Sequence, residues 1–398
     1  MLQLLNDREV GLDPPWLLPR VYGSQRFVDI ELSSRREFVK GHKNGVTSMD
    51  IDRQSGRYIL SGGSDTTGTI LLHDTLCPPG STHQYPIVSN TFSPISNSEQ
   101  NTSYAICSIQ WYPHDTGMFV TSSADRTVKV WDTNEMCPVE SFKFTKPVYT
   151  HVMAAAQSHC LIAVGGKECE ITLCDIHSGS STHILRSHNL PVMSLAWSPH
   201  NDFTLASGSQ DNRVLLWDIR KAAGPLMSLD MHNGSGSSNS ASVETAHSGH
   251  VNGLCFSSDG LYLLSFATDN KLKLWDAFYG KNTLINYGHL TNYDTHTSVQ
   301  FAVSSHTSTL HPVVCLPSSG SILLIEMLTG KKIKSLQGHF GTVNCVMTHP
   351  FEQELFSGGG DGNILTWEPP PPKVTETRSA SGRGLSVYQD DWSSDEER

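Results

Sequence analysis

Four segments of the sequence bring together the three residue types of a nucleophilic relay. His42, Ser61 and Asp65, then His188, Ser207 and Asp211, then His247, Ser265 and Asp269, and last His339, Ser357 and Asp361 share one spacing. Each places Ser 18 or 19 residues after the His and Asp four residues after the Ser. A single such set reads as a hydrolytic triad, in which imidazole takes the serine proton and the carboxylate orients the ring. Four copies in one register read otherwise. In three of them a Trp follows the Asp by six residues, at Trp217, Trp275 and Trp367. Indole N–H, hydroxyl, imidazole and carboxylate in that order satisfy one another inside a fold, so the sets are expected to be structural pins. No catalytic residue is assigned. The 19 histidines show no His-x-His or His-Glu-x-x-His spacing, so no metal or other cofactor is expected.

A different chemistry is offered by "RVLLWDIRK", where Trp217 and Asp218 are followed by Arg220 and Lys221. The planar guanidinium fork makes paired hydrogen bonds to carboxylates and carbonyls, which lysine cannot copy. Arg220 therefore either pairs with a local acid or contacts another protein. The related "VKVWDTN" has Asn134 in place of the arginine.

These residues need elements to hold them, and the elements repeat. Apolar runs closed by Trp-Asp or a degenerate form end at Asp74, Asp132, Asp175, Asp218, Asp276, Glu326 and Glu368, separated by 58, 43, 43, 58, 50 and 42 residues. A period near ~40–45 residues with insertions is that of four short strands per propeller blade. On these motifs the chain resembles the WD40 family from about Arg36 to Glu368. The implied fold is all-β, a seven-bladed WD40 propeller preceded by a short N-terminal helical segment. The second unit keeps Thr121, Asp125 and Trp131 without an aligned His. The first has two extra turn residues and His73 in place of Trp, while the third and sixth carry Cys174 and Ile325 there. The third and sixth blades are expected to be the least tightly pinned.

Each unit's outer strand lies just before the next Gly-His, as in "KKIKSLQGH". After Trp367 come prolines, which cannot donate to a ladder. The segment "RREFVKGH", with "FVDIEL" ahead of it, is therefore expected to complete the last blade and remove an open edge.

The remaining sequence bounds the surroundings. Net charge is −11 and the nine cysteines form no Cys-x-x-Cys pair, which indicates neither a nucleic-acid coat nor a disulfide framework. No secretory signal or membrane span is read, and a reducing compartment is expected. Domain limits are placed at 1–25 for a helix–loop–helix, 26–368 for the propeller and 369–398 for a disordered Pro-rich and acidic tail. Leu2 and Leu5 lie on the first short helix. Asp13 and Pro14 start a second that carries Trp16, Leu17 and Val21. These helices either pack on the propeller edge or dock on another protein. Ser393 and Ser394, ahead of Asp395, Glu396 and Glu397, suit acid-directed kinases. The loops 77–104 and 233–245 read as tolerated insertions. Partner-facing candidates in the loops between blades and between second and third strands are Asn44, Ala124, Arg126, Asn189, Gln210 and Phe340.

A blade-ending Trp-Asp-x-Arg behind an N-terminal helix–loop–helix resembles the WD40 substrate receptors of the cullin-4 RING ubiquitin ligases. The segments "GRYILSGGSD", "QWYPHDTGMFVTSSADRTVKVWDTN", "HVNGLCFSSDGLYLL", "NTLINYG" and "DDWSSDEE" are similar to the Cockayne syndrome group A family. The resemblance implies a nuclear, non-catalytic ligase subunit in transcription-coupled nucleotide-excision repair. It implies that Trp217, Asp218, Arg220 and Lys221, with Leu2, Leu5, Trp16 and Leu17, grip the damaged-DNA-binding-protein adaptor of the cullin-4 ligase. It also implies engagement of the Cockayne syndrome group B repair ATPase and RNA polymerase II, without sequence-specific nucleic-acid or membrane binding. The alternative is a WD40 scaffold of an unrelated nuclear assembly, in chromatin or ribosome maturation.

Overall fold

Apolar runs of five or six residues alternate with turns built on Asp, Gly and Asn, and each group of four strands forms one antiparallel sheet. The computed structural model describes residues 11, 14, 17–65, 68–76, 84–91, 105–155, 159–221, 224–234, 245–291, 298–304 and 311–370. Seven four-stranded sheets succeed one another as the blades of a propeller. Blade 1 comprises Val46–Ile51, Tyr58–Gly63, Ile70–Asp74 and Ile87–Thr91; blade 4 comprises Val192–Trp197, Thr204–Ser209, Val214–Asp218 and Met227–Ser228. The first strands of all seven blades line a central cavity of 460 Å³.

Neighbouring blades are tied around the wall of that cavity by side chains of one inner strand bonding the backbone of the next. Thr47 donates to the Ile106 carbonyl (2.6 Å), and Trp111 N–H donates to Asp50 (2.8 Å). Met153 N–H donates to Gln110 (2.9 Å), and Asn344 donates to the Val46 carbonyl (2.7 Å). Partnering polar groups in this way meets the demand that buried donors and acceptors be satisfied.

The ring is closed between its two ends by hydrogen bonding. Val343–Thr348, Leu355–Gly359 and Ile364–Glu368 receive Glu31–Leu32 as their fourth strand, with Glu31 opposite Glu368 and Leu32 opposite Trp367. The closing strand is thus the end of "FVDIEL" and not "RREFVKGH". Glu37–Phe38 of the latter pairs in parallel with Gln84–Tyr85 from the insertion after blade 1. The physical reason lies in the side chains. Phe38 packs against His73, Tyr85 and Phe356, with centroids at 5.1, 4.8 and 5.9 Å, so its strand is drawn to the seam between blades 1 and 7. Arg36 then reaches back to Glu354, with Glu368 at 3.8 Å, while Ser33 donates to Glu368 (2.6 Å).

Within the blades, the repeated sets form chains of hydrogen bonds. In blade 4, Trp217 Nε1–H donates to Ser207 (2.7 Å), His188 Nε2 lies 2.8 Å from that hydroxyl, and its Nδ1 lies 2.9 Å from Asp211. Blades 5 and 7 repeat the chain through Trp275, Ser265, His247 and Asp269, and through Trp367, Ser357, His339 and Asp361. With Nδ1–H donating to Asp and Nε2 accepting from Ser, each group has a partner. Burial pushes His247 and His339 below the usual imidazole value. At Asp269 burial acts upward, but the His247 hydrogen bond and charge outweigh it and hold the carboxyl at about 2.

Blade 1 departs from this pattern. Ser61 lies between His42 (2.8 Å) and His73 (3.2 Å), so His73 takes the Trp role. Asp65 is engaged instead by Thr69 and by the Asn44 N–H, in a turn two residues longer, and His42 Nδ1 makes no hydrogen bond. Blade 2 keeps only the Trp131–Thr121 bond (2.8 Å). In blades 3 and 6, Cys174 and Ile325 fill the Trp position as buried apolar groups.

His151 is the odd residue of the inner strands. Its register partners in other blades are Ile109 and Leu195, yet it is a buried imidazole whose ring nitrogens make no protein hydrogen bond of good geometry. Burial pushes its pKa down to about 3, below its unfolded value, so its cost grows as pH falls through the unfolded value. His151→Leu is expected to raise stability by about 1–2 kcal/mol at pH 7, with a gain about 2 kcal/mol larger at pH 5. Denaturant titration at the two pH values measures both. Arg36→Ala strips the buried Glu354 carboxylate of its partner. It is expected to cost about 1–2 kcal/mol once the partial exposure of the arginine is discounted, read as an earlier unfolding midpoint.

Candidate functional site

Two faces of the propeller carry the candidate residues. Third strands end on one face, here called lower, at Asp218, Asp276 and Glu368. The turns between second and third strands and the connections between blades lie on the upper face. Because Glu31 pairs with Glu368, the helix that precedes it, Leu17–Val28, enters at the lower end of blade 7. Its last turn is anchored: Phe27 and then Ile30 bury among Ile322, Leu324, Leu336 and Trp367. Lys334 Nζ donates to the Ile30 carbonyl (2.8 Å). Leu17 opens the helix and is half-buried, whereas Tyr22 is exposed. The helix runs three residues past position 25. Leu2, Leu5 and Trp16 lie outside the described residues, as do Ser393 and Ser394.

The Trp-Asp-x-Arg turn of blade 4 is also on the lower face. Trp217 is buried by its pin and Asp218 by its neighbours. Asp218 accepts from Arg220 three times, from its backbone N–H (3.0 Å) and from Nε and Nη2 (both 2.9 Å). Hydrogen bonding from Arg220 holds the Asp218 carboxyl below the usual carboxylate range. The guanidinium carbon also sits 4.3 Å from the Phe203 ring centroid. Both readings of the arginine are compatible with this geometry. It pairs locally, yet its side chain is 58% exposed and held in one orientation by a carboxylate and an aromatic face. Such a fixed, outward-facing fork is prepared for a partner's carbonyls or carboxylates. Lys221 is exposed beside it.

The next blade holds residues that sequence reasoning missed. Phe278 N–H donates to Asp276 (2.9 Å) just as Arg220 N–H donates to Asp218, so Phe278 occupies the arginine's place in blade 5. Leu261 stands where Phe203 does, its carbonyl accepting from Ala277 as that of Phe203 accepts from Ile219. Phe278 is 78% exposed and Tyr279 68%, their rings edge to face at 5.0 Å. Gly280 (φ +65°) follows with its α-carbon against Met227, which sets this turn on the fourth strand of blade 4. Adjacent exposed aromatics at the turn equivalent to that of an oriented arginine one blade away are the makings of an interface. The available signal was "WDAFYG", the same turn position read one blade further on.

On the upper face, Asn44, Arg126, Asn189 and Phe340 are exposed, Phe340 at 97%. Ala124 and Gln210 are half-buried, and the Gln210 amide turns onto Met193 Sδ (3.4 Å). The two faces therefore present different chemistry, apolar and oriented-cationic below, polar with one bare aromatic above.

Ser61, Ser207, Ser265 and Ser357 are fully buried, and in blades 4, 5 and 7 the serine oxygen already accepts an indole N–H. A substrate carbonyl cannot approach such a hydroxyl. The triad-like sets are structural.

The WD domain, G-beta repeat family matches residues 33–70, 92–132, 179–218, 240–276 and 330–368. WD repeat-containing protein ATCSA-1 of Arabidopsis thaliana is 30% identical over 433 residues, covering 93% of this chain and 95% of that one. The chain belongs to the WD40 repeat family. The five matched stretches correspond to blades 1, 2, 4, 5 and 7, and the two unmatched blades are those with Cys174 and Ile325 at the Trp position. Further WD40-type relatives are more distant. Protein FIZZY-RELATED 2 of Arabidopsis thaliana is 28% identical over 70% of this chain and 53% of its own. Ribosome biogenesis protein WDR12 homolog of Aedes aegypti is 28% identical over 48% and 46%. WD40 propellers serve as protein-interaction scaffolds and no enzymatic family is indicated.

The contrast between pin and surface residue is measurable. Trp217→Ala is expected to cost about 3–5 kcal/mol, because it empties a buried indole site and leaves Ser207 with His188 alone of its two partners in the set. Arg220→Ala removes an exposed partner of Asp218, which keeps the backbone N–H of residue 220, and is expected to lower the melting temperature only slightly; differential scanning calorimetry of the two variants distinguishes them.

Proposed function

We propose that this chain is the non-catalytic substrate-recognition subunit of a cullin-4 RING ubiquitin ligase acting in transcription-coupled nucleotide-excision repair in the nucleus. The observation that carries the reading is the near-full-length likeness to WD repeat-containing protein ATCSA-1, alongside the Cockayne syndrome group A resemblance of the sequence. The geometry supports it further. The helix Leu17–Val28 and the Arg220 turn, three blades apart on the ring, emerge on the same lower face. A neighbouring propeller, the damaged-DNA-binding-protein adaptor, would be held at two well-separated points, by the helical segment at one and by Arg220, Lys221, Phe278 and Tyr279 at the other.

In this reading the upper face, with Asn44, Asn189 and Phe340, is left for the Cockayne syndrome group B ATPase and stalled RNA polymerase II. The protein contributes position alone. Holding a lysine-bearing target beside a ubiquitin-charged conjugating enzyme raises its effective concentration without any reacting group on the propeller.

Co-purification of the full chain with the adaptor tests the reading. Wild type is expected to capture the adaptor. Arg220→Ala and Phe278→Ala are each expected to weaken capture about tenfold, as loss of an interface anchor does. Deletion of residues 1–25 is expected to abolish it while the circular dichroism of the propeller is kept. Full capture by all three variants would overturn the proposal and favour a scaffold of another nuclear assembly.

A further inference from the structure

We propose that the upper edge of blades 2 and 3 is a docking site for an acidic segment of another protein, a role separate from the lower face and independent of the ligase reading. The starting point is the backbone of Arg126. Its φ is +71°, the left-handed region that side chains with a Cβ rarely adopt. The same turn, marked by the same N–H to carbonyl bond three residues back, carries Asn212, Asn270 and Gly362 in blades 4, 5 and 7, with φ of +65°, +60° and +74°. Gly and Asn are the residues suited to that conformation. Blade 2 holds an arginine there, exposed at the tip of the turn. A strained residue retained where a compatible one serves elsewhere points to a task for its side chain.

Three lysines stand with it. Lys143 lies opposite Thr127, the residue after Arg126, and Phe144 N–H donates to the Arg126 carbonyl (2.8 Å). Lys146 follows two residues later, and the Lys167 N–H bonds the Pro147 carbonyl (2.9 Å), which brings the turn of blade 3 alongside. Backbone hydrogen bonds thus hold Arg126, Lys143, Lys146 and Lys167 on one continuous edge, all exposed. Among the described residues none of the four makes an ion pair. Nearby cations do: Lys129 with Asp125 (3.4 Å) and Arg186 with Glu170 (2.8 Å). Glu168 accepts from Thr145. Four unpaired cations on one edge of a chain with net charge −11 form a local field opposite to that of the whole, which attracts and orients an acidic partner.

A protein segment fits better than a nucleic acid. Glu168 and Glu170 sit among the cations, so an unbroken run of phosphates would meet carboxylates, whereas spaced Asp and Glu side chains can reach the cations between them.

Fluorescence anisotropy of the full chain with a fluorescein-labelled glutamate–aspartate peptide, and separately with a single-stranded oligothymidine of equal charge, tests this. The peptide is expected to bind saturably at low salt and more weakly at physiological salt. Lys146→Glu with Lys167→Glu is expected to weaken it by about tenfold or more. Arg126→Asn is expected to weaken it while leaving the thermal midpoint equal or higher, since Asn suits the turn. Adaptor capture is expected to be unchanged in all these variants, which separates this outcome from that of the ligase test. Absence of saturable binding at low salt, wild-type affinity in the variants, or tighter binding of the oligothymidine would each overturn the proposal.

Discussion

A ring of sheets has one seam, and everything this molecule presents to partners depends on that seam staying shut. Two residues, Glu31 and Leu32, supply the fourth strand of blade 7, and so short a ladder is weak by itself. Its hold comes from what flanks it. Phe27 and Ile30 bury on one side, Ser33 and Arg36 bind Glu368 and Glu354 on the other, and Phe38 wedges with Tyr85 into the joint with blade 1. The same segment continues upstream into the helix on the lower face. Closure and the orientation of that helix are therefore one event.

The repeated Ser, His and Asp residues show how identical side chains acquire opposite meanings. In a hydrolase the serine oxygen faces a cleft, whereas here it faces an indole and is sealed within a blade. Sealing has a further effect. In blades 4, 5 and 7, where every polar atom of the set is occupied, the blade is stiff and the turns at its ends are displayed at defined positions. Arg220 is oriented by Asp218 and Phe203 in this way, and Phe278 is set at the equivalent place in blade 5.

Much of this was legible from spacing alone. The intervals between Trp-Asp ends set the blade number, because a period that long accommodates four strands and nothing shorter. The degenerate blades were visible as Cys174 and Ile325, since the chemistry of the pin is specific to particular atoms. The blade-closing strand was misplaced by a few residues. Its choice rests on where Phe38 finds a buried aromatic neighbour, Tyr85, almost fifty residues away in an insertion that has no periodicity. The turning of Asp65 to Thr69 likewise hangs on the geometry of a lengthened turn, whereas His73 in place of Trp was already visible in the sequence.

The sequence by itself determined the seven-fold repetition, the inert character of the triads and the arginine after Trp217-Asp218, because these follow from local pattern and the hydrogen-bonding capacity of single residues. Only the tertiary structure decided which distant residues share a face. It set the N-terminal helix and Arg220 at one end, Phe278 and Tyr279 at the same end one blade along from that arginine, and Arg126 with three lysines at the other. Such groupings arise from ring closure and from contacts between blades, and no short-range pattern in a chain encodes the neighbours that folding brings from far away.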